Sequence, residues 1–365
     1  MNVIERDVII AGAGPAGAVC ASYLAKAGMD VLLIDKNFFP RDKVCGDMVS
    51  ERFVSHMDEL ECVEELDRIS TCIRRIRLIG DGGKEAVVPF ECYTTERKEL
   101  DKLLIDTAGK WGAEILQGCR VEDVIKENEY VKGVKIAFCG REMKIRSKAV
   151  IGADGAYSRI ARSTGVMKSD AFAVSSGLRA YFKNIKLDRN LGTEQYNTYG
   201  IVSYEDVIKP CCFKIVPVGR RGAADGICNV SVVTEGMDMC SEADMIHIFA
   251  LWMKKNPSVA EMFEGAVQIS PWKSGKLPYI SQGIKQWGNG YMLVGDAASA
   301  MMPLYDDGLS AAADSARAAA YAIIRAAGLG DFSEFVLKEG YELTEKAPGI
   351  SGRPLRNDEL KAHLR

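Results

Sequence analysis

The chain opens on an apolar run and a glycine-rich turn, Asp7-Val8-Ile9-Ile10-Ala11-Gly12-Ala13-Gly14-Pro15-Ala16-Gly17. Residues 7–11 have the composition of a buried parallel strand, residues 18–28 that of a helix with a glycine stop, and residues 30–35 that of a second buried strand. Strand, turn, helix and strand in this order make a βαβ unit. The opening therefore predicts an α/β fold.

The glycine spacing in this turn is typical of a dinucleotide-binding site. Gly12 permits the tight turn, Gly14 lets the backbone approach a pyrophosphate, and Gly17 lets helix and strand pack closely. The helix N-terminus offers free N–H groups and a partial positive charge to the phosphates. Asp35 ends the second strand 23 positions after Gly12, where it can accept hydrogen bonds from ribose hydroxyls. The motif predicts a dinucleotide without choosing between FAD and NAD.

Composition excludes several other classes of protein. The 365 residues carry a net charge of −3 and are 47% hydrophobic and 27% charged, as in ordinary globular proteins of about two domains. This charge balance predicts no nucleic-acid partner, and no apolar run is long enough for a transmembrane helix. Eleven scattered cysteines indicate reduced thiols and a cytoplasmic location. Three histidines offer few members for a zinc site or a histidine-based triad.

Hydrophobic patterning changes character along the chain. Separate strands are predicted at residues 143–145 and 149–152, and period-two alternation at 178–183 and 228–232 predicts an antiparallel sheet with one buried face. A buried strand then leads into an alanine-rich helix at 309–327. We therefore predict a discontinuous dinucleotide-binding domain of residues 1–72, 96–170 and 284–345, a substrate-binding domain of 73–95 and 171–283, and a C-terminal tail of 346–365.

Two later segments resemble a flavoprotein superfamily that contains aromatic hydroxylases, flavin halogenases and geranylgeranyl reductases. Asp154 and Gly155 lie in a segment similar to the family's D-G segment beside the cofactor. Gly295 and Asp296 resemble its G-D segment, whose aspartate binds the ribityl chain of FAD. The resemblance implies that the dinucleotide is FAD.

Pro303, Gly308 and Leu309 match the family's proline and the start of the helix that faces the isoalloxazine. A helix N-terminus directed at the N1–C2=O region stabilises the negative charge of reduced flavin. The implied fold is p-hydroxybenzoate hydroxylase-like, with a Rossmann-type FAD-binding lobe and an antiparallel-sheet substrate lobe.

Residues 39–47, here named the Cys-Gly loop, resemble the Cys-Gly segment of bacterial geranylgeranyl reductase-like proteins, which runs beside the flavin. Arg97 resembles the arginine that those proteins place near the cofactor, and Val121 matches a residue at the adenine edge. Cys45 is the candidate catalytic residue, because a thiol beside the flavin can deliver a proton to the carbon opposite the hydride. The alternative is that Cys45 packs as a small buried hydrophobe.

Several cations of the first lobe are candidates for phosphate contact. Lys36, Arg41 and Lys43 could touch the phosphates of FAD or of a nicotinamide donor, or could be solvated loop charges. The full set of residues expected to bind FAD is Gly12, Gly14, Pro15, Ala16, Gly17, Asp35, Lys36, Lys43, Cys45, Gly46, Arg97, Val121, Asp154, Gly155, Gly295, Asp296, Gly308 and Leu309.

The chain departs from the family at two places. Lys214 stands where the family's substrate strand has an aromatic residue, and an inward-pointing lysine would be costly to bury without a partner. Asp306 and Asp307 precede Gly308, where they could bind a cation, orient substrate or cap the helix. These departures bear on the substrate and leave the FAD-binding expectation unchanged.

The resemblance implies an FAD-dependent oxidoreductase of the geranylgeranyl reductase-like branch. NAD(P)H or another electron carrier would reduce the flavin, which would pass hydride to a C=C bond of a small apolar or lipid-like substrate. Peripheral membrane contact stays open, and the sequence does not indicate the oligomeric state. The alternatives are a flavin-dependent monooxygenase of the hydroxylase type and, from another class, a non-catalytic flavin-binding protein.

Overall fold

The computed structural model describes residues 5–80, 84–138, 140–167, 173–187, 199–206, 210–219, 226–234, 241–279, 284–298 and 307–345. In chain order the strands are β1 (Glu5–Ala11), β2 (Val31–Ile34), β3 (Met48–Ser50), β4 (Thr71–Gly80), β5 (Lys84–Thr94), β6 (Glu114–Leu116), β7 (Arg120–Glu127), β8 (Tyr130–Phe138), β9 (Arg141–Gly152), β10 (Ala173–Lys183), β11 (Tyr199–Asp206), β12 (Pro210–Pro217), β13 (Ile227–Thr234), β14 (Val267–Gln268), β15 (Lys273–Tyr279), β16 (Trp287–Gly288) and β17 (Tyr291–Leu293). The helices are α1 (Pro15–Lys26), α2 (Glu51–Glu59), α3 (Val63–Ile69), α4 (Arg97–Lys110), α5 (Arg159–Ser163), α6 (Glu242–Lys255), α7 (Pro257–Met262), α8 (Gly308–Leu329) and α9 (Glu334–Glu345).

The first sheet has a parallel centre with strand order β17-β9-β1-β2-β6. Its opening βαβ unit forms as predicted, because the buried runs of β1 and β2 flank a helix that packs on one face. The prediction of separate strands at 143–145 and 149–152 is wrong, since both belong to β9. The first half of β9 pairs antiparallel with β8, and its second half pairs parallel with β1 and β17.

Helices α1, α4, α8 and α9 cover one face of this sheet around a continuous apolar core. The buried side of α8 consists largely of alanine, which allows close approach of neighbouring helices. Gly330, with φ of 66°, ends α8 in the left-handed conformation. None of the helices within the described residues has both the length and the apolar character needed to cross a membrane.

The second sheet is largely antiparallel, with strand order β14-β10-β13-β12-β11-β4-β5-β3 and with β15 also paired to β10. The predicted antiparallel sheet is confirmed, since the segments at 178–183 and 228–232 pair antiparallel in β10 and β13. One pair departs from the antiparallel arrangement, because β11 runs parallel to β4. One face packs against α6 and α7, where Trp252 stacks on Phe213 with ring centroids 4.4 Å apart. The predicted α/β fold with a second, sheet-based part is confirmed; the proposed domain boundaries stay a prediction.

The polar face of β10 is buried, contrary to the prediction of a sheet with a single buried face. Arg179 and Tyr181 alternate with the apolar residues of this strand, yet they are only 1% and 7% exposed. The Cys-Gly loop covers them, since Arg179 contacts Asp42 and the Tyr181 hydroxyl donates to Asp47. This loop leads from β2 of the first sheet into β3 of the second.

Two helical glycines allow the packing of α9 on α8 to be tested. A Cβ at Gly340 would lie 2.9 Å from the Cα of Ala322, whereas a Cβ at Gly328 would meet no atom within 4 Å. Gly328→Ala should raise the free energy of unfolding by about 0.5–1 kcal/mol through helix propensity. Gly340→Ala should lower the free energy of unfolding by about 1–2 kcal/mol, because the overpacking against Ala322 outweighs the gain in helix propensity. Urea denaturation measures both, and equal effects would contradict this helix packing.

Candidate functional site

The carboxyl ends of neighbouring parallel strands bring the sequence-predicted motifs together. At the end of β9, the Ala153 N–H donates to the Ala11 carbonyl at 2.8 Å. After β17, the Val294 N–H donates to the Gly152 carbonyl at 2.9 Å. The turns that follow β1, β9 and β17 therefore leave the sheet side by side, at the edge where open α/β sheets bind ligands.

The glycine-rich turn after β1 is held in close backbone contact. Gly12 has φ of 101°, and a Cβ there would lie 2.3 Å from the Ala153 carbonyl oxygen. A Cβ at Gly17 would lie 1.8 Å from the Gly12 carbonyl oxygen. Gly14 is the N-cap of α1 and Pro15 is its first residue, with no capping hydrogen bond from a described side chain. The first N–H groups of α1 are therefore available to an anion.

Asp35 closes the other side of this turn. Its buried carboxylate accepts hydrogen bonds from the backbone N–H of Ala13 and of Asn37, both at 2.8 Å. These bonds hold the carboxylate beside the turn and leave lone pairs for a ribose. Val121 lies on β7, only 8% exposed, whereas Lys36 is exposed. The binding roles predicted for these residues stay predictions.

Asp154, in the turn after β9, has local partners. Its carboxylate accepts from the Ser158 hydroxyl and from the Arg159 N–H, both at 2.6 Å. Burial raises its pKa, against the opposing effect of these hydrogen bonds. Gly155 follows with φ of 82°. Asp154 thus shapes the turn from which α5 begins, and its predicted contact with the cofactor stays a prediction.

Lys43 of the Cys-Gly loop reaches the turn after β17. Its Nζ lies 3.8 Å from Oδ2 of Asp296. The Lys43 side chain is 47% accessible. Desolvation by the surrounding protein and the charge of Arg97 lower its pKa, which Asp296 only partly opposes. On the other side, Gly295 donates its N–H to the Ser315 hydroxyl of α8 at 3.0 Å.

A buried ion-pair network lies at the start of α4. Arg97 donates to both oxygens of Asp101, at 2.7 and 3.0 Å, and Arg41 lies 3.1 Å from the same carboxylate. Burial disfavours the charged form of Arg97 and lowers its pKa. The interactions with Asp101 and with the Cys45 side chain are stronger than this effect, so the pKa of Arg97 is raised. The structure therefore brings Arg97 and the partly buried Cys45 together.

The second sheet holds the Cys-Gly loop from its other side. Asn229 donates from its amide nitrogen to the Cys45 carbonyl at 2.9 Å and to Oδ2 of Asp47 at 2.7 Å. The Tyr181 hydroxyl donates to the same Asp47 oxygen at 2.7 Å. The other oxygen, Oδ1, is buried without a hydrogen-bond partner among the described residues. Cys45 is thereby fixed through its own carbonyl and through its neighbour Asp47.

Asp42 provides a further attachment of the loop. It pairs with the buried Arg179 and, at 2.6 Å, with Lys273. Burial opposes its ionisation, but these two cations outweigh burial and lower its pKa. The sequence analysis did not predict that Asp42 and Asp47 anchor the loop. The only signal that could have pointed to them was their position within the Cys-Gly loop. Arg179 and Asn229 gave no local signal.

The N-terminus of α8 is joined to the segment that follows the loop. Asp307 caps α8, because its Oδ1 accepts from the Ser310 N–H at 3.2 Å. The Ser50 hydroxyl, at the end of β3, also donates to Asp307. Gly308 and Leu309 are therefore held near the loop's exit. Pro303 and Asp306 lie outside the described residues.

Comparison with known proteins identifies relatives over most of the chain. A family model described as "FAD binding domain" matches residues 5–328. The digeranylgeranylglycerophospholipid reductase of Methanosarcina acetivorans is 30% identical, over 92% of this chain and 79% of that protein. The 1H-pyrrole-2-carbonyl-[peptidyl-carrier protein] chlorinase of Pseudomonas fluorescens is 25% identical, over 92% of this chain and 79% of that protein.

A solved structure shares the fold. It is a geranylgeranyl bacteriochlorophyll reductase-like protein from Thermoplasma acidophilum, with a TM-score of 0.80 and 23% sequence identity. The similarity covers 94% of this chain and 84% of that one. Both sheets of the present chain therefore belong to a known arrangement.

The buried Asp47 predicts a pH-dependent stability. Burial raises its pKa to about 6, against the hydrogen bonds that favour its ionised form, compared with about 3.9 in an unfolded chain. Between these values the native state keeps a proton that the unfolded state releases, so the free energy of unfolding falls as pH rises. Across this pH range, the proton held by Asp47 should make the free energy of unfolding fall by about 3 kcal/mol. Asp47→Asn should abolish this fall. Denaturation at pH 4 to 7 measures this difference.

The exposed Asp106 provides the matched control. Asp106→Asn removes a carboxylate whose i,i+4 partner is Lys102, a surface pair of small energetic value. Its pH profile should run parallel to that of the wild type. If Asp47→Asn also gave a parallel profile, the carboxyl group of Asp47 would not be titrating in a buried site.

Proposed function

The chain belongs to the FAD binding domain family and to its geranylgeranyl reductase-like branch, and on this premise we propose that it reduces C=C bonds of an apolar, isoprenoid-like substrate. It is an FAD-dependent oxidoreductase. The observation that carries the proposal is the meeting of the Cys-Gly loop with the turns at the sheet's carboxyl edge. Cys45, Lys43 and Asp296 lie together there.

The residues at this edge fit FAD. The glycine-rich turn and the uncapped start of α1 would receive the pyrophosphate, and Asp35 the adenosine ribose. Asp296 would bind the ribityl chain, and the start of α8 would face the isoalloxazine. Val121 would lie at the adenine. The other proposed contacts are those of Pro15, Ala16, Lys36, Gly46, Arg97, Asp154, Gly155, Gly295, Gly308 and Leu309.

When bound and reduced, FAD supplies a hydride to one carbon of the double bond. We assign the proton for the other carbon to the Cys45 Sγ–H. Arg97, whose charge interacts with Cys45, would stabilise the thiolate that remains until solvent reprotonates it. Asn229 keeps the cysteine in place through its carbonyl. NAD(P)H or another electron carrier is the proposed reductant.

A lipid-like substrate leaves room for peripheral membrane contact, and the odd number of cysteines supports a cytoplasmic location.

A monooxygenase is the second candidate function, since the similarity to a chlorinase extends over 92% of the chain. A flavin-binding protein without catalysis is the third.

Anaerobic turnover separates these functions. The purified, FAD-loaded protein is reduced with dithionite, freed of excess reductant and mixed with geranylgeranyl lipids. The proposal expects reoxidation of the flavin with one double bond saturated per flavin, measured by absorbance and mass spectrometry. A parallel reaction in air tests the monooxygenase: oxygen consumption coupled to a hydroxylated product, with no double bond saturated in the anaerobic reaction, would overturn the proposal in its favour. Reduced flavin that no unsaturated lipid reoxidises without oxygen, and that yields no hydroxylated product in air, would favour the non-catalytic protein.

The role of Cys45 has its own test. Cys45→Ser should slow product formation by about 10²-fold or more, because the hydroxyl is a much weaker acid. FAD content should stay unchanged. Cys72→Ser is the control, since Cys72 lies on β4 beside the exposed Glu91. An unaltered rate in Cys45→Ser would remove this thiol from the mechanism.

A further inference from the structure

Lys214 interrupts an apolar face of the second sheet. Along β12, Phe213 and Ile215 pack toward α6, whereas Cys212 and Val216 belong to the apolar cluster on the opposite face. Because side chains alternate along a strand, Lys214 shares that opposite face with Cys212 and Val216. A cation therefore stands at a position where the pattern calls for an apolar side chain.

The Lys214 side chain extends to the Cys-Gly loop. A Cβ at Gly46 would lie 3.6 Å from its Cδ and 3.9 Å from its Nζ. The hydroxyl oxygen of Ser231, its neighbour on β13, would lie 3.8 Å from the same point. The ammonium group thus borders the residue that follows Cys45.

Among the described residues, no carboxylate forms an ion pair with the partly buried Lys214. Burial raises the pKa of the Cys92 thiol, and Lys214 and Asp307 act on that pKa in opposite directions, so both lie near Cys92. The Asp307 carboxylate accepts hydrogen bonds from the Ser50 and Ser310 hydroxyls. The other cations of the loop region have acidic neighbours, since Arg97 binds Asp101 and Lys43 lies near Asp296. A partly desolvated cation that has no counterion within the described ranges is unfavourable there, so an anionic ligand would stabilise it.

One side of Lys214 is apolar and the other is polar. Its partner on β11 is Val202, which belongs to the same cluster as Cys212 and Val216, whereas its partner on β13 is Ser231. Met48 and Phe90 lie partly buried against that cluster. A single cation next to such a surface is complementary to an amphiphile with an acidic head group and an apolar chain.

We propose that Lys214 binds the anionic head group of the substrate, a carboxylate or a phosphate, at the Cys-Gly loop. The inference rests on the proposed function and narrows its substrate class to anionic unsaturated amphiphiles. Lys214 is then a specificity-determining residue. It sets how far from the head group the reacting double bond lies.

Three probes with one apolar chain test the proposal: geranic acid, geranyl phosphate and geraniol. Binding to the oxidised, FAD-loaded full chain is followed by the change in flavin absorbance. The wild type should bind at least one of the two anions about tenfold or more tighter than geraniol. The preferred anion identifies carboxylate or phosphate as the head group. Lys214→Met should lose this preference while its affinity for geraniol stays unchanged.

Two further variants control for charge and folding. Lys214→Arg should retain the preference for anions, and Lys183→Met, at an exposed position on β10, should leave it unchanged. FAD content reports that each variant is folded. If Lys214→Met lost affinity for geraniol as much as for the anions, Lys214 would act by packing, and the proposal would be overturned. A shift of the flavin reduction potential in Lys214→Met would also overturn it, because Lys214 would then act on the cofactor.

The binding measurement uses oxidised flavin and does not depend on turnover. A protein that shows the Lys214-dependent anion preference but reduces no double bond would contradict the proposed function and leave the anion site standing. A protein that reduces double bonds without any preference for anions would overturn the Lys214 assignment alone.

Discussion

Close backbone contact between the turns after β1 and β9 is the constraint on which the site depends. Gly12 leaves no room for a side chain, since a Cβ there would lie 2.3 Å from the Ala153 carbonyl oxygen. A Cβ at Gly17 would lie 1.8 Å from the Gly12 carbonyl oxygen of the same turn and 3.1 Å from the Ala153 Cβ. This approach places the N-terminus of α1 beside the ends of the parallel strands. The same edge receives Asp35 from β2 and Asp296 from the turn after β17. Without the contact, the turns that carry the groups that fit FAD would not lie side by side.

The second constraint is the attachment of the Cys-Gly loop to the other sheet. Asp42 and Asp47 are both held by side chains of β10, and Asn229 of β13 holds the Cys45 carbonyl. Asp47 has φ of 57°, which is uncommon for a residue other than glycine. The loop therefore joins the two sheets, and Cys45 lies between them. A polar network of this kind is costly when one partner is lost, because the others stay buried.

Local patterns were sufficient to predict the nucleotide-binding part of the fold. The βαβ unit and the alanine-rich helix both form as predicted, because each depends on residues close in sequence. The merging of two predicted strands into β9 was missed, since it depends on a change of partner strand that no local pattern records. The parallel pairing of β11 with β4 was missed for the same reason.

The site was predictable where a motif carried it and not elsewhere. Cys45 and Arg97 were each expected beside the cofactor only from the family resemblance, and that expectation stays a prediction. The structure brings the two side chains together. The partners of Asp47 lie 134 and 182 positions away in sequence, so the register of β10 and β13 decides them. Lys214 was recognisable as a departure, but its orientation toward Gly46 required the structure.

A crystal structure of the chain with bound FAD tests the central claim most directly. The account predicts the pyrophosphate at the start of α1, a ribose on Asp35, and the isoalloxazine ring between Gly46 and the N-terminus of α8. An isoalloxazine ring bound away from the Cys-Gly loop, or a pyrophosphate that does not touch the glycine-rich turn, would contradict it.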